Sequence, residues 1–255
     1  MNEPRALILR AAGTNCDQET DYAFRLAGAA TESIHIHRLV DGSVDLKRYQ
    51  IFVVPGGFTY GDDLGAGKVL ANELVLGLGE RLLGFVQEGG LVLGICNGFQ
   101  VLVRAGLLPA PTGLQTVSLL PNSSGRFECR WVHVKVADDS PSVFTRGLGA
   151  FELAVAHGEG RLLVPPAAQS SIVPALLYCN AEGGTPDYPD NPNGSYRHIA
   201  GLTDSTGRIL GLMPHPERFV RRSQHPAWTR QGDHDEPGDG LLFFENAVRY
   251  AKGLL

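Results

Sequence analysis

The stretch "LVLGICNGFQVLVRAG", residues 91–106, decides the fold. Its opening run is continuously apolar, as a strand covered on both faces must be. From Asn97 onward the apolar positions recur at helical spacing. Between the two, Gly94, Cys96 and Gly98 form a strand–turn–helix junction with a cysteine at the pivot. Flanking residues without Cβ atoms let the chain turn that tightly. The thiol is then held at the carboxyl edge of the sheet, where open α/β folds bind ligands. This is the cysteine form of a nucleophile elbow. The positive end of the following helix favours thiolate, and the main-chain N–H of Asn97 faces the place where an oxyanion would form. With 32 glycines in the chain, Gly-x-Cys-x-Gly alone is a weak signal. The strand before and the helix after give it weight.

Working outward, "RALILR" (5–10), "SIHIHRL" (33–39) and "IFVVPGG" (51–57) read as further strands. Helices are predicted over 17–29, capped by Asp17, over 67–90, and over 239–255, capped by Asp239. Alternating βα units predict a doubly wound, mostly parallel sheet with flanking helices and a flavodoxin-like core. After residue 106 short runs split by Pro, Gly and Asn predict additional antiparallel strands. We read 1–255 as a single domain. "AEGGTPDYPDNPNGS" (181–195) is too rich in turn residues for regular structure and long for a plain connector. It is expected to face a partner and to be removable over 186–193 without loss of the fold.

The formal charge of −5 and pI near 5.9 point to no nucleic-acid or acidic-membrane partner. No apolar run approaches the length of a spanning helix, and four scattered cysteines suggest reduced cytosol, so a cytoplasmic location is expected. Neither a CxxC nor a His-x₃₋₅-His pair is present, so no metal is expected.

A thiolate nucleophile needs a base, and the base needs an orienter. His215 in "MPHPER" (213–218) stands out, because two prolines stiffen its backbone. In an extended segment Glu217 would project beside it. His35 and His37 read as strand residues facing solvent, His133 as a strand-face residue, and His225 and His234 as members of a polar loop. Gly57 in "VVPGGF" (53–58) is a candidate second oxyanion donor. Cys16, Cys129 and Cys179 read as packing residues. Cys96, His215 and Glu217 on such a sheet imply acyl transfer from an amide, ester or thioester, and the residues alone go no further.

"PGGF", "GICNGFQ" and "PHPE", in this order, resemble the triad-type (class I) glutamine amidotransferases. "GTNCDQET" (13–20), "GGFTYGDDLGAGKVLA" (56–71), "NSSGRFECRW" (122–131), "AHGEGR" (156–161) and "YPDNPNGS" (188–195) narrow this to a branch that serves a purine-biosynthetic synthetase. The resemblance implies that Cys96 attacks the side-chain amide of L-glutamine while Gly57 and Asn97 N–H groups hold the oxyanion. His215, oriented by Glu217, protonates departing ammonia and later activates water. Gly56, Gln100 and Arg126 are the implied substrate-binding residues, and His157 and Glu159 are expected to be structural. No cofactor is expected in this chain. "GDDLGAGKV" (61–69) departs from a phosphate loop in spacing and lacks the hydroxyl residue. ATP and Mg are therefore expected on a large synthetase subunit, with a small accessory subunit as further partner. A γ-glutamyl hydrolase or esterase, and a non-catalytic regulatory subunit, are the competing readings.

Overall fold

The computed structural model describes residues 3–230 and 236–255; His234 lies outside them. The strands are β1 (Arg5–Arg10), β2 (Ala30–His35), β3 (Ile51–Val54), β4 (Leu91–Ile95), β5 (Ser118–Leu120), β6 (Glu128–Val136), β7 (Ala150–His157), β8 (Arg161–Leu163), β9 (Val173–Cys179), β10 (Ile199–Thr203) and β11 (Ile209–Leu212). The helices are α1 (Asp17–Leu26), α2 (Ile36–Val40), α3 (Lys68–Gln87), α4 (Asn97–Arg104) and α5 (Leu241–Ala251).

Among the described residues, nine strands form one sheet in the order β2-β1-β3-β4-β11-β10-β9-β6-β7, with β5 and β8 paired separately. The first five run parallel, and β10, β9, β6 and β7 extend the sheet antiparallel. The sequence patterns map onto this division. β3 and β4 are buried at every position, which is why they read as unbroken apolar runs. β7 alternates buried and partly exposed residues, because helices do not cover both of its faces.

α3 buries Leu70, Leu74, Leu78 and Leu82, one residue per turn. α4 is almost wholly buried. α1 meets α5 through the Phe24 and Phe244 rings, edge to face at 4.9 Å.

Three local expectations are corrected. Residues 36–40 are helical rather than strand, so His37 lies on α2, where His35 caps it by accepting from the His37 N–H at 3.3 Å. Cys16 and Gly240 occupy the N-cap positions expected for Asp17 and Asp239. The second half of 181–195 is anchored: Asn193 is fully buried and its amide donates to the Tyr178 hydroxyl at 3.1 Å. Removing 186–193 would therefore strip internal hydrogen bonds from the fold.

Two glycine substitutions test the packing. A Cβ on Gly98 would stand 1.9 Å from the Val54 carbonyl oxygen, a backbone atom that cannot step aside. Gly98→Ala is expected to lose about 3 kcal/mol or more. Gly79 in α3 has open space, so Gly79→Ala is expected to gain about 0.5–1 kcal/mol. Urea unfolding of the two variants checks this; equal effects would contradict the assigned packing.

Candidate active site

The parallel strands end on one edge, and four of them deliver the candidate residues there: the 11–16 turn after β1, Gly56–Gly57 after β3, Cys96 after β4 and His215 after β11. Cys96 sits at φ 52°, ψ −105°, a conformation strained for a residue with a Cβ. Its N–H donates to the Leu212 carbonyl at 2.7 Å, which ties the elbow to the strand that leads to His215. A Cβ on Gly94 would meet the Gly98 carbonyl oxygen at 2.7 Å, so both flanking glycines are required by close backbone approach.

His215 is 1% exposed, and its N–H donates to the Ala154 carbonyl at 2.8 Å. The antiparallel half of the sheet thus returns, through β7, to hold the imidazole-bearing segment. Residues 216–218 form a single 3₁₀ turn rather than an extended run, and this turn brings Glu217 Oε1 to 2.6 Å from His215 Nδ1. Burial opposes protonation of the ring, but the Glu217 carboxylate and the Cys96 sulfur outweigh it and raise the imidazole well above its ordinary range.

Gly57 has φ 152°, and a Cβ there would lie 2.7 Å from the Gly13 carbonyl oxygen. Gly56 accepts from the Cys16 N–H at 3.1 Å. The Asn97 side chain is fixed from three sides: its Oδ1 accepts from the Thr59 hydroxyl at 2.7 Å, and its Nδ2 donates to Gln100 at 3.0 Å and to Asp62 at 3.4 Å. Gln100 in turn donates to the Glu159 carbonyl at 2.5 Å. A cavity of about 150 Å³ opens over these groups, lined by Gly57, Cys96, Gln100, Phe127, His157 and Glu159 among others. Phe58 and Phe127 stack at its mouth, ring centroids 6.4 Å apart.

The structure brings Cys96, His215, Glu217, Gly56, Gly57, Asn97 and Gln100 to one sheet edge. Arg126 is exposed, in the turn of residues 123–126 and beside Phe127. Its carbonyl accepts from Asn122 Nδ2 at 2.9 Å. Asn122 was not singled out in the sequence, yet it organises the cavity wall: it bonds the His157 ring at 3.1 Å, the His157 carbonyl at 2.8 Å and the Gly160 N–H at 3.0 Å. Asp62, equally unforeseen, has its carboxyl raised by burial. Such roles emerge only when separate loops meet, so no local pattern announces them. His225 is buried beside Glu152 at 3.2 Å, not on a polar loop surface.

The described residues include no helix long and apolar enough to cross a membrane. The family model of the CobB/CobQ-like glutamine amidotransferase domain matches residues 3–251. A protein of Dehalococcoides mccartyi named phosphoribosylformylglycinamidine synthase subunit PurQ is 52% identical over 254 residues, covering 99% of each chain. One of the same name from Methanococcus maripaludis is 41% identical, covering 97% of each. The solved structure of PurLQS from Thermotoga maritima contains a chain that aligns with TM-score 0.74 and 31% identity, covering 98% of this chain and 99% of that one.

His157 offers a test of the buried electrostatics. Burial, then the charge of His215, lowers its imidazole to about 3. The unfolded chain titrates this ring near 6.5. Between those values the unfolded chain binds the extra proton, so stability rises with pH through the window and is lost as pH falls below 6.5. His157→Gln is expected to reduce the slope of unfolding free energy below that pH by up to about 1.4 kcal/mol per unit. Urea titrations at several pH values check it; parallel curves for the two proteins would contradict it.

Proposed function

The chain belongs to the CobB/CobQ-like glutamine amidotransferase domain family, and from that premise we propose how its site works as the glutaminase subunit of phosphoribosylformylglycinamidine synthase. Near-complete coverage of PurQ relatives supports this assignment. The observation that carries the chemistry is the strained Cys96 at the elbow, whose sulfur acts with Glu217, 2.6 Å from the ring, to raise the His215 imidazole.

Cys96 Sγ attacks the side-chain amide carbon of glutamine. The carbonyl electrons move onto oxygen, where the Gly57 and Asn97 N–H groups stabilise them. The His215 imidazolium gives its proton to the departing nitrogen, and ammonia leaves a glutamyl thioester on Cys96. Water, deprotonated by His215, then attacks the thioester and releases glutamate and the thiolate. Glu217 keeps the ring in the tautomer and orientation both steps need. Gly56 and Gln100 line the substrate's approach, and Arg126 stands at the rim for the charged end of glutamine.

Ammonia passes to the large synthetase subunit, the PurL of the PurLQS assembly, with PurS as the small accessory subunit. ATP and Mg belong to that synthetase partner, where formylglycinamide ribonucleotide becomes formylglycinamidine ribonucleotide. Soluble purine precursors make the cytoplasm the compartment this reading implies. Tyr188, exposed and set over Arg130 with the guanidinium 5.2 Å from its ring centroid, gives the 181–195 segment a partner-facing group.

The isolated chain is expected to be a weak glutaminase, stimulated when the synthetase, its substrate and ATP are added. Cys96→Ser in the complex should lose glutamine-dependent product by roughly a thousandfold or more while ammonia-dependent product remains. Ammonia release assays and product formation check this. Full glutamine-dependent synthesis by Cys96→Ser would instead make the chain a regulatory subunit.

A further inference from the structure

Cys16 contradicts its reading as a simple packing residue. Every polar atom it has is engaged. Its N–H donates to the Gly56 carbonyl at 3.1 Å, and its carbonyl accepts from the Thr20 N–H at 3.1 Å and the Thr20 hydroxyl at 2.6 Å. Its thiol donates to Asn15 Oδ1 at 3.2 Å and accepts from Arg218 Nη2 at 3.2 Å. The residue is 1% exposed. A Cβ on Gly56 would stand 2.9 Å from His215 Cε1 and 3.1 Å from Cys16 Sγ, so the ring edge and the sulfur share one recess against that glycine. Cys16, His215 and Glu217 also place ligand-type atoms within 4.8 Å of one another, a spacing that suits a metal. The Arg218 guanidinium on the sulfur sets a positive charge where a cation would have to sit, which argues for a different use.

We infer that Cys16 is a positioning residue for the glutaminase reaction: its sulfur, fixed by Arg218 and Asn15, forms the wall that turns the His215 ring towards Cys96. The inference rests on the glutaminase reading above. Arg218 lies on the same turn as His215 and Glu217, so the sulfur closes a loop from that turn through the β1 turn to Gly56. It also gives the guanidinium a partner of its own. The titratable and charged groups facing this assembly are Glu217 and Arg218 from the 3₁₀ turn, Cys96 from the elbow, His157 from the end of β7 and Cys16 itself. Cys16 and Cys96 both act to favour the protonated ring, the form that gives ammonia its proton.

The test is the pH profile of glutaminase kcat and KM in the complex with the synthetase subunits, for the unaltered chain, Cys16→Ala and Cys16→Ser. Cys16→Ala is expected to lower kcat about tenfold with KM within about twofold, and to move the alkaline limb about half a unit lower. Cys16→Ser, whose hydroxyl still accepts from Arg218, is expected to recover most of both. If Cys16→Ala does not fold, Cys16→Val takes its place, since it refills the volume without the acceptor, and the same shift is expected. An alkaline limb that stays in place in a folded Ala or Val variant would overturn the inference, as would a serine variant no better than alanine. Absence of glutamine turnover in the unaltered complex would sink the glutaminase reading itself, a different result from equal profiles.

Discussion

The site depends on one close approach: the first turn of α4 passes against the end of β3 with no room for a side chain. A Cβ on Gly98 would overlap the Val54 carbonyl. This contact places the N-terminus of α4 at the sheet edge and leaves Cys96 in a conformation it would not adopt unaided. The strain persists because the surroundings over-determine it. The Cys96 N–H is bonded to Leu212, and Gln100 N–H accepts the geometry by donating to the Cys96 carbonyl at 3.2 Å. Parallel pairing of β4 with β11 then sets Cys96 and His215 side by side although they are remote in sequence.

Electrostatics at this edge follow from burial and neighbours. Two buried histidines sit near one another and are driven in opposite directions. His215, beside Glu217 and two sulfurs, favours its proton. Burial, with the His215 charge nearby, keeps His157 neutral, and its ring partner is an amide oxygen, Asn122 Oδ1. In the neutral ring Nδ1 carries the hydrogen, since the Asn122 oxygen can only accept. One imidazole is thus available for proton transfer, and the other holds the cavity wall together.

Much of this was legible in the sequence, for reasons that are local. Unbroken apolar runs revealed β3 and β4 because covering on both faces leaves no polar positions. Gly-x-Cys-x-Gly revealed the elbow because each glycine answers a backbone clash. The prolines around His215 marked the histidine that the structure sets beside Glu217, although the turn that delivers Glu217 is 3₁₀ rather than extended. What stayed hidden depends on distant segments meeting. The return of β7 to hold His215, the bracing by Asn122 and the contact of Cys16 with Arg218 each join residues from separate loops. The helix at 36–40 was missed because alternation in "SIHIHRL" imitates a strand over a segment too short to show helical period. Residues 181–195 have the composition of a free loop, yet asparagine side chains there replace a ladder with internal bonds.

The most direct measurement is site-resolved labelling with an electrophilic glutamine analogue, followed by peptide mass spectrometry of all four cysteines. The account predicts that Cys96 is modified selectively, that excess glutamine protects it, and that His215→Asn slows the labelling by about a hundredfold or more. Equal labelling of Cys129, which is exposed, or a rate indifferent to His215, would contradict the claim that this fold builds an activated sulfur at the elbow.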